Sequence, residues 1–195
     1  HLSLRRQRQM CIRDSSILYL TGFLWDTESQ KASVRHALEM VENLTVKVAL
    51  SLSDPFCVER HHQDFNELIR SRVDLLFCNQ EEAFTMMETQ VTQEALAGLS
   101  ENVETVVMTL GNRGSLICNQ GQIYYIDPIE VEVVDTTGAG DAYAAGFLYG
   151  FSHDQSIMNC GRIASVMAGT VIEQIGPRIE TASMKTLKER LSNIP

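Results

Sequence analysis

The chain has 195 residues, 44% hydrophobic and 21% charged, the balance of a packed globular fold, which excludes disordered and collagen-like chains. Its formal charge of −9 lacks the basic footprint of general nucleic-acid binding, yet leaves room for an anionic substrate, because a few backbone amides can hold phosphate against the net charge. No apolar run approaches the ~18 residues of a membrane-crossing helix, so neither nucleic acid nor membrane is an expected partner.

Residues 1–15 read HLSLRRQRQMCIRDS and carry four of the 16 lysines and arginines. They show no strand alternation, no helical stripe and no apolar core of a secretory signal. The tract resembles adapter-derived sequence, with a basic targeting arm as the alternative, and is not expected to belong to the fold. Residues 16–195 are expected to form one α/β domain.

From Ile17 to Leu20 a short apolar run ends at Thr21-Gly22 and predicts a buried strand. Ser29 is placed to cap a helix through Glu42, with Ala32, Ala37, Leu38 and Val41 on one face. Val46–Leu52 predicts a strand ending in the Ser53-Asp54-Pro55 turn, followed by a helix over 58–70. Leu75–Cys78 predicts another strand. Asn79 is placed to cap a helix through Met87, and Thr92 to start one through Leu99. Thr105–Leu110 predicts a strand ending in the Gly111–Gly114 turn. Ser115–Cys118 and Gln122–Ile126 flank Asn119-Gln120-Gly121 as a hairpin. Val131–Val134 predicts a further β segment. Helices are expected over 142–149, 155–171 and 184–191.

This alternation predicts a doubly wound, mostly parallel sheet with an antiparallel edge hairpin, whose ligands bind beyond the carboxyl ends of the strands. The five cysteines, Cys11, Cys57, Cys78, Cys118 and Cys160, are dispersed and contain no C-x-x-C pair. They are expected to be reduced, buried thiols of a cytoplasmic protein, with no direct metal site. His61 and His62 are expected on a solvated face, Trp25 and Phe23 in the core or at its rim.

The informative stretch is Asp135-Thr136-Thr137-Gly138-Ala139-Gly140-Asp141, which opens a helix of small residues. Unpaired N–H groups at a helix start point outward together. Gly138, Ala139 and Gly140 let an oxyanion approach them, and the helix dipole favours negative charge there. Asp141, in the first turn, is placed to accept a proton from a hydroxyl. A phosphoryl donor over the glycines would complete in-line transfer. A helix start with a favourable acid is the plainer reading of Gly-Ala-Gly-Asp alone.

The longer string closely resembles the C-terminal signature of the ribokinase/PfkB family of carbohydrate and nucleoside kinases. It is no Walker A loop, since no Gly-Lys-Ser/Thr follows. Two further matches keep the family's order. Asn79-Gln80-Glu81-Glu82 resembles its Asn-x-x-Glu motif, and is also a capping box. Thr109-Leu110-Gly111-Asn112-Arg113-Gly114 resembles its Thr-x-Gly-x-x-Gly turn beside the nucleotide. The resemblance implies a ribokinase-like fold, ATP and Mg²⁺ as cofactors, and in many members a monovalent cation such as K⁺. It implies Asp141 as catalytic base, Gly138, Ala139 and Gly140 on phosphate, and Thr109, Gly111, Gly114, Thr137 and Gly176 around the nucleotide. Asn79 and Glu82 would act on Mg²⁺ and phosphate indirectly.

The resemblance runs from about Ser16 to Leu191. The family's Gly-Gly segment, acceptor-binding Asp and lid strands have no counterpart here, so the chain reads as the C-terminal part of a kinase. As such it is expected to bind ATP weakly and turn over little. Gly22–Asp26 together with Asp54–His61 looks similar to family members described as adenosine kinases, which makes a nucleoside or sugar the expected acceptor and adenosine the favoured one. Ribokinase- or fructokinase-like activity is an alternative, as is a nucleotide-binding fragment without catalysis. A dinucleotide-binding dehydrogenase domain is disfavoured, because no Gly-x-Gly-x-x-Gly follows the first strand.

Overall fold

The computed structural model describes residues 15–195, so the expectation for the basic tract lies outside them but for Ser15. The chain divides into two compact units, one ending at Val106 and one beginning at Val107. Six strands are ordered β1-β2-β3-β4-β5-β6 in a mostly parallel sheet.

In the first unit β1 (Ile17–Thr21), β2 (Lys47–Ser51) and β3 (Leu75–Asn79) run parallel, with Leu20 opposite Leu50 and Leu50 opposite Leu76. Ala49, Leu50, Leu75 and Leu76 are all buried, as parallel strands covered on both faces require. Helix α1 (Glu28–Val41) joins β1 to β2 and buries Val34, Leu38 and Val41, one stripe at helical spacing. Its cap is Thr27, whose hydroxyl accepts from Gln30 N at 3.3 Å, not Ser29, and Ala32 faces solvent.

The single helix expected over 58–70 is two, α2 (Pro55–Arg60) and α3 (His62–Ser71), broken at His61. Asp54 explains the early start. Its Oδ1 accepts from Phe56 N at 2.8 Å and Cys57 N at 3.1 Å, with Pro55 in the first helical position. Trp25 is buried edge-to-face on Phe65 at 5.3 Å, whereas Phe23 is exposed. Neither histidine lies on a solvated face: His62 Nε2 bonds the Met86 carbonyl at 2.9 Å and His61 is half-buried. Helices α4 (Gln80–Met87) and α5 (Thr92–Ser100) follow β3.

β4 (Thr105–Thr109) crosses the division between the units and leads into a 3-10 turn, Gly111–Arg113. β5 (Ser115–Asn119) and β6 (Gln122–Ile126) form the expected antiparallel hairpin. Gln120 and Gly121 are both left-handed, the geometry of a two-residue type I′ turn. Helices α6 (Ala139–Ser152) and α7 (Ile157–Ile172) pack closely, because a Cβ at Gly146 would lie 2.8 Å from Ala164 Cα. Helix α8 (Met184–Ser192) closes the chain.

The β segment expected over Val131–Val134 is not a strand. Val134 N and Asp135 N instead bond the Ile172 carbonyl at the end of α7, at 2.7 and 3.2 Å. The alternation in the sequence serves a pocket wall, not a ladder. Cys57, Cys78, Cys118 and Cys160 are buried and form no disulfide among the described residues. Among the described residues no helix is long and apolar enough to cross a membrane.

Candidate functional site

The second unit holds a cavity of about 700 Å³, within the range of sites for small molecules (roughly 300–1,000 Å³). Its rim on one side is the turn after β4, with Thr109, Gly111, Asn112 and Gly114. Ile129, Val131 and Val133 form an apolar wall, faced by Ser165, Ala168, Gly169 and Ile172 of α7. The start of α6 supplies Ala139, Gly140 and Tyr143. No lysine or arginine belongs to this lining, so an anion here would be met by backbone N–H groups and the helix dipole.

The start of α6 has a definite hydrogen-bond pattern. Gly138 is its N-cap, left-handed at φ +81°, and makes no side-chain cap. A Cβ on Gly138 would lie 2.5 Å from Pro177 Cβ, so this position demands glycine twice over. Ala139 N bonds the Thr136 carbonyl at 3.1 Å. Gly140 and Asp141 N–H groups have no such partner among the described residues, and Gly140 has no neighbour within 4 Å of where a Cβ would sit. Two open amides thus lie beside the exposed Asp141 in the third helical position, an arrangement that can receive an anion next to a carboxylate.

Asp135 organises this loop. Its Oδ1 accepts from Thr137 N at 2.9 Å and Thr137 Oγ1 at 2.7 Å, and its Oδ2 from Gly176 N at 2.8 Å. These bonds, the Thr137 hydroxyl first, hold its carboxyl below the usual range. Gly176 is left-handed at φ +85°. Tyr143 is buried, with its hydroxyl 2.5 Å from Ser115 Oγ, and burial pushes it up to about 12.

Thr109, Gly111, Gly114, Ala139 and Gly140 therefore line one cavity. Thr137, Gly138, Asp141 and Gly176 stand outside its lining, the first two joined to Asp141 through the loop and Gly176 through Asp135. Asn79 and Glu82 belong to the first unit. There they form a complete capping box: Asn79 Oδ1 accepts from Glu82 N at 2.8 Å, and Glu82 Oε2 from Asn79 N at 3.0 Å. Asn79 Nδ2 donates to Glu82 Oε1 at 2.7 Å. Glu82 is buried, which pushes its carboxyl up to about 7, with Asp54 and Glu81 adding to the effect and the Asn79 N–H opposing it.

Asp135 and Tyr143 carry no role in the motif resemblance. Asp at one position with Thr two residues on is an Asx-turn signal, and Tyr143 follows Ala139 by one helical turn. Either could have been read from spacing.

The family model described as pfkB family carbohydrate kinase matches residues 3–183. A protein described as an uncharacterized sugar kinase, from Archaeoglobus fulgidus, is 28% identical over 166 residues, covering 85% of this chain and 64% of that protein. The adenosine kinase of Dictyostelium discoideum is 26% identical over 188 residues, covering 89% of this chain and 54% of that protein. The crystal structure of adenosine kinase from Sinorhizobium meliloti superposes with a TM-score of 0.89 at 36% identity, covering 93% of this chain and 56% of that one. The chain thus spans between about half and two thirds of the length of these relatives.

Proposed function

The chain belongs to the pfkB family of carbohydrate kinases, and from that premise we propose that it carries the ATP side of a kinase acting on a primary hydroxyl of a nucleoside, adenosine being the favoured acceptor. The observation that carries this reading is the start of α6: two open amides, with Gly140 in the lining of a cavity of about 700 Å³ and the exposed carboxylate of Asp141 next in the chain. The cavity suits a nucleotide by its volume and by apolar walls that can hold a base. Gly140 and Asp141 amides would hold the transferring phosphoryl group, and Gly138 fixes the turn that aims them. The acceptor hydroxyl would give its proton to Asp141 as its oxygen bonds phosphorus and the bond to the ADP oxygen breaks.

Mg²⁺, when bound through the nucleotide's own oxygens and water, supplies neutralising charge. Asn79 and Glu82 fit only an indirect role through water, since both Glu82 oxygens accept from Asn79. For a monovalent cation such as K⁺, Asp135 is the anionic group tied to the Gly176 segment. A nucleoside is favoured over a sugar by Phe23 and Phe56. They follow the adjacent parallel strands β1 and β2, are 53% and 69% exposed, and offer planar faces to a base.

A non-hydrolysable ATP analogue tests the cradle. Gly140→Val has space for its side chain, so the fold should survive by circular dichroism and thermal melting. Its branches would occupy the approach to the amides, and affinity should fall about tenfold or more. Unchanged affinity would remove the cradle from the proposal. Formation of ADP dependent on adenosine, compared with ribose and fructose, separates a nucleoside kinase from a sugar kinase and from a binding module.

A further inference from the structure

Three side chains of the first unit that phosphoryl transfer does not use converge on one point. Asp26 follows the 3-10 turn after β1, while Cys57 and His61 sit one helical turn apart on α2 and its C-cap. The carboxylate oxygen, the sulfur and the ring nitrogen all lie within 4.8 Å of one another. His61 Nε2 is sealed from solvent and has no hydrogen-bond partner. It lies 3.7 Å from Asp26 Oδ1, too far for a hydrogen bond. A buried ring nitrogen left in this state calls for an explanation. Cys57 is fully buried and free, and Asp26 is half exposed, which gives the cluster a route to water.

We propose that Asp26, Cys57 and His61 form a three-donor site for a borderline-soft divalent cation of the zinc class, with water in the fourth position. Sulfur, imidazole nitrogen and carboxylate oxygen are the donor set that such a cation takes, and that Mg²⁺ does not. The charges match: a thiolate and a carboxylate against a dication, with a neutral imidazole. Binding breaks the Cys57 S–H bond, forms a sulfur–metal bond and releases one proton to solvent per cation, with no change of oxidation state. Arg60 Nη2 donates to Asp26 Oδ1 at 3.0 Å. A carboxylate has a second oxygen, so Arg60 becomes the outer partner that orients the ligand. The site clips the loop after β1 to the helix after β2, and is independent of the reading of the α6 cradle.

Co²⁺ is the probe, titrated into the whole chain under reducing conditions. One equivalent should give the near-ultraviolet thiolate-to-cobalt charge-transfer band and release one proton. Zn²⁺ should displace the probe, and excess Mg²⁺ should not. Cys57→Ser should lose the band while Cys11→Ser keeps it. His61→Gln, at a half-buried helix end, should weaken binding about tenfold or more; it decides the matter if Cys57→Ser does not fold. Absence of the band in the unaltered chain, its persistence in Cys57→Ser, or unaltered affinity in His61→Gln overturns the site.

Discussion

Helices α4 and α6 both carry an acid in their third position, Glu82 in one and Asp141 in the other, and the two starts differ in every other respect. In α4 the acid closes a capping box with Asn79, is buried, and has both oxygens engaged. In α6 the cap is a left-handed glycine without a side chain, two amides stay open, and Asp141 faces solvent. A helix start that satisfies its own donors gains stability and loses the means to bind a ligand. One that leaves them open needs something else to hold its shape. Here Asp135 does so, through Thr137 and Gly176, from outside the helix.

The comparison breaks most visibly if the two acids are made amides. Asp141→Asn should lower acceptor-dependent ADP formation by about 10²–10⁴, in this chain or in a longer protein containing it, with little change in binding of an ATP analogue. Turnover near that of the unaltered protein would remove Asp141 as the base. Glu82→Gln should act on stability instead. The folded chain holds the Glu82 proton up to about 7 against an ordinary 4.5. Between those values the folded state binds more protons than the unfolded one, so stability falls as pH rises through this window and is flat on either side. The full change is on the order of 3 kcal/mol. Urea unfolding from pH 4 to 8 should show that slope in the unaltered chain and lose it in Glu82→Gln.

A smaller effect belongs to the cap of α6. Gly138→Ala places a side chain at φ +81° and against Pro177, and should cost at least about 1–2 kcal/mol in urea unfolding. ATP-analogue affinity should fall with it, because the loop can no longer aim its amides. Asp135→Asn should have the smallest effect of the four. The Asp135 carboxyl is held below its usual range, so its contribution is present above that range and fades as pH falls through the lowered value. The variant should therefore be less stable by a constant amount at neutral pH and above, and show a flatter acid limb, so that the two proteins converge below the lowered value. An acid limb identical in both proteins would mean that Thr137 and Gly176 do not depend on the charge of Asp135.

Much of this fold could be read locally. The strands at Leu75 and Thr105, the two-residue turn at Gln120-Gly121 and the Asn79 cap follow from apolar runs, turn residues and capping chemistry within a few residues of each other. The misreadings share a cause. Val131–Val134 alternates as a strand does, but a strand needs a neighbour, and the neighbour present is the C-terminal end of α7. The helix over 58–70 breaks at His61, because Asp54 and Pro55 start α2 early and His61 leaves helical geometry before α3 begins.

The sequence by itself determined the composition of the glycine loop, its place before a helix, and an acid three residues into that helix. Those are properties of neighbours in the chain, set by backbone sterics and hydrogen-bond valence. The bond by which Thr136 takes the N–H of Ala139 and leaves those of Gly140 and Asp141 is local as well, but the tertiary structure decided how the loop that carries it is held. It alone set the Asp135–Gly176 bond across 41 positions and the meeting of Asp26 with Cys57 and His61. Such contacts are fixed by packing over long sequence separations, where no local propensity carries the information.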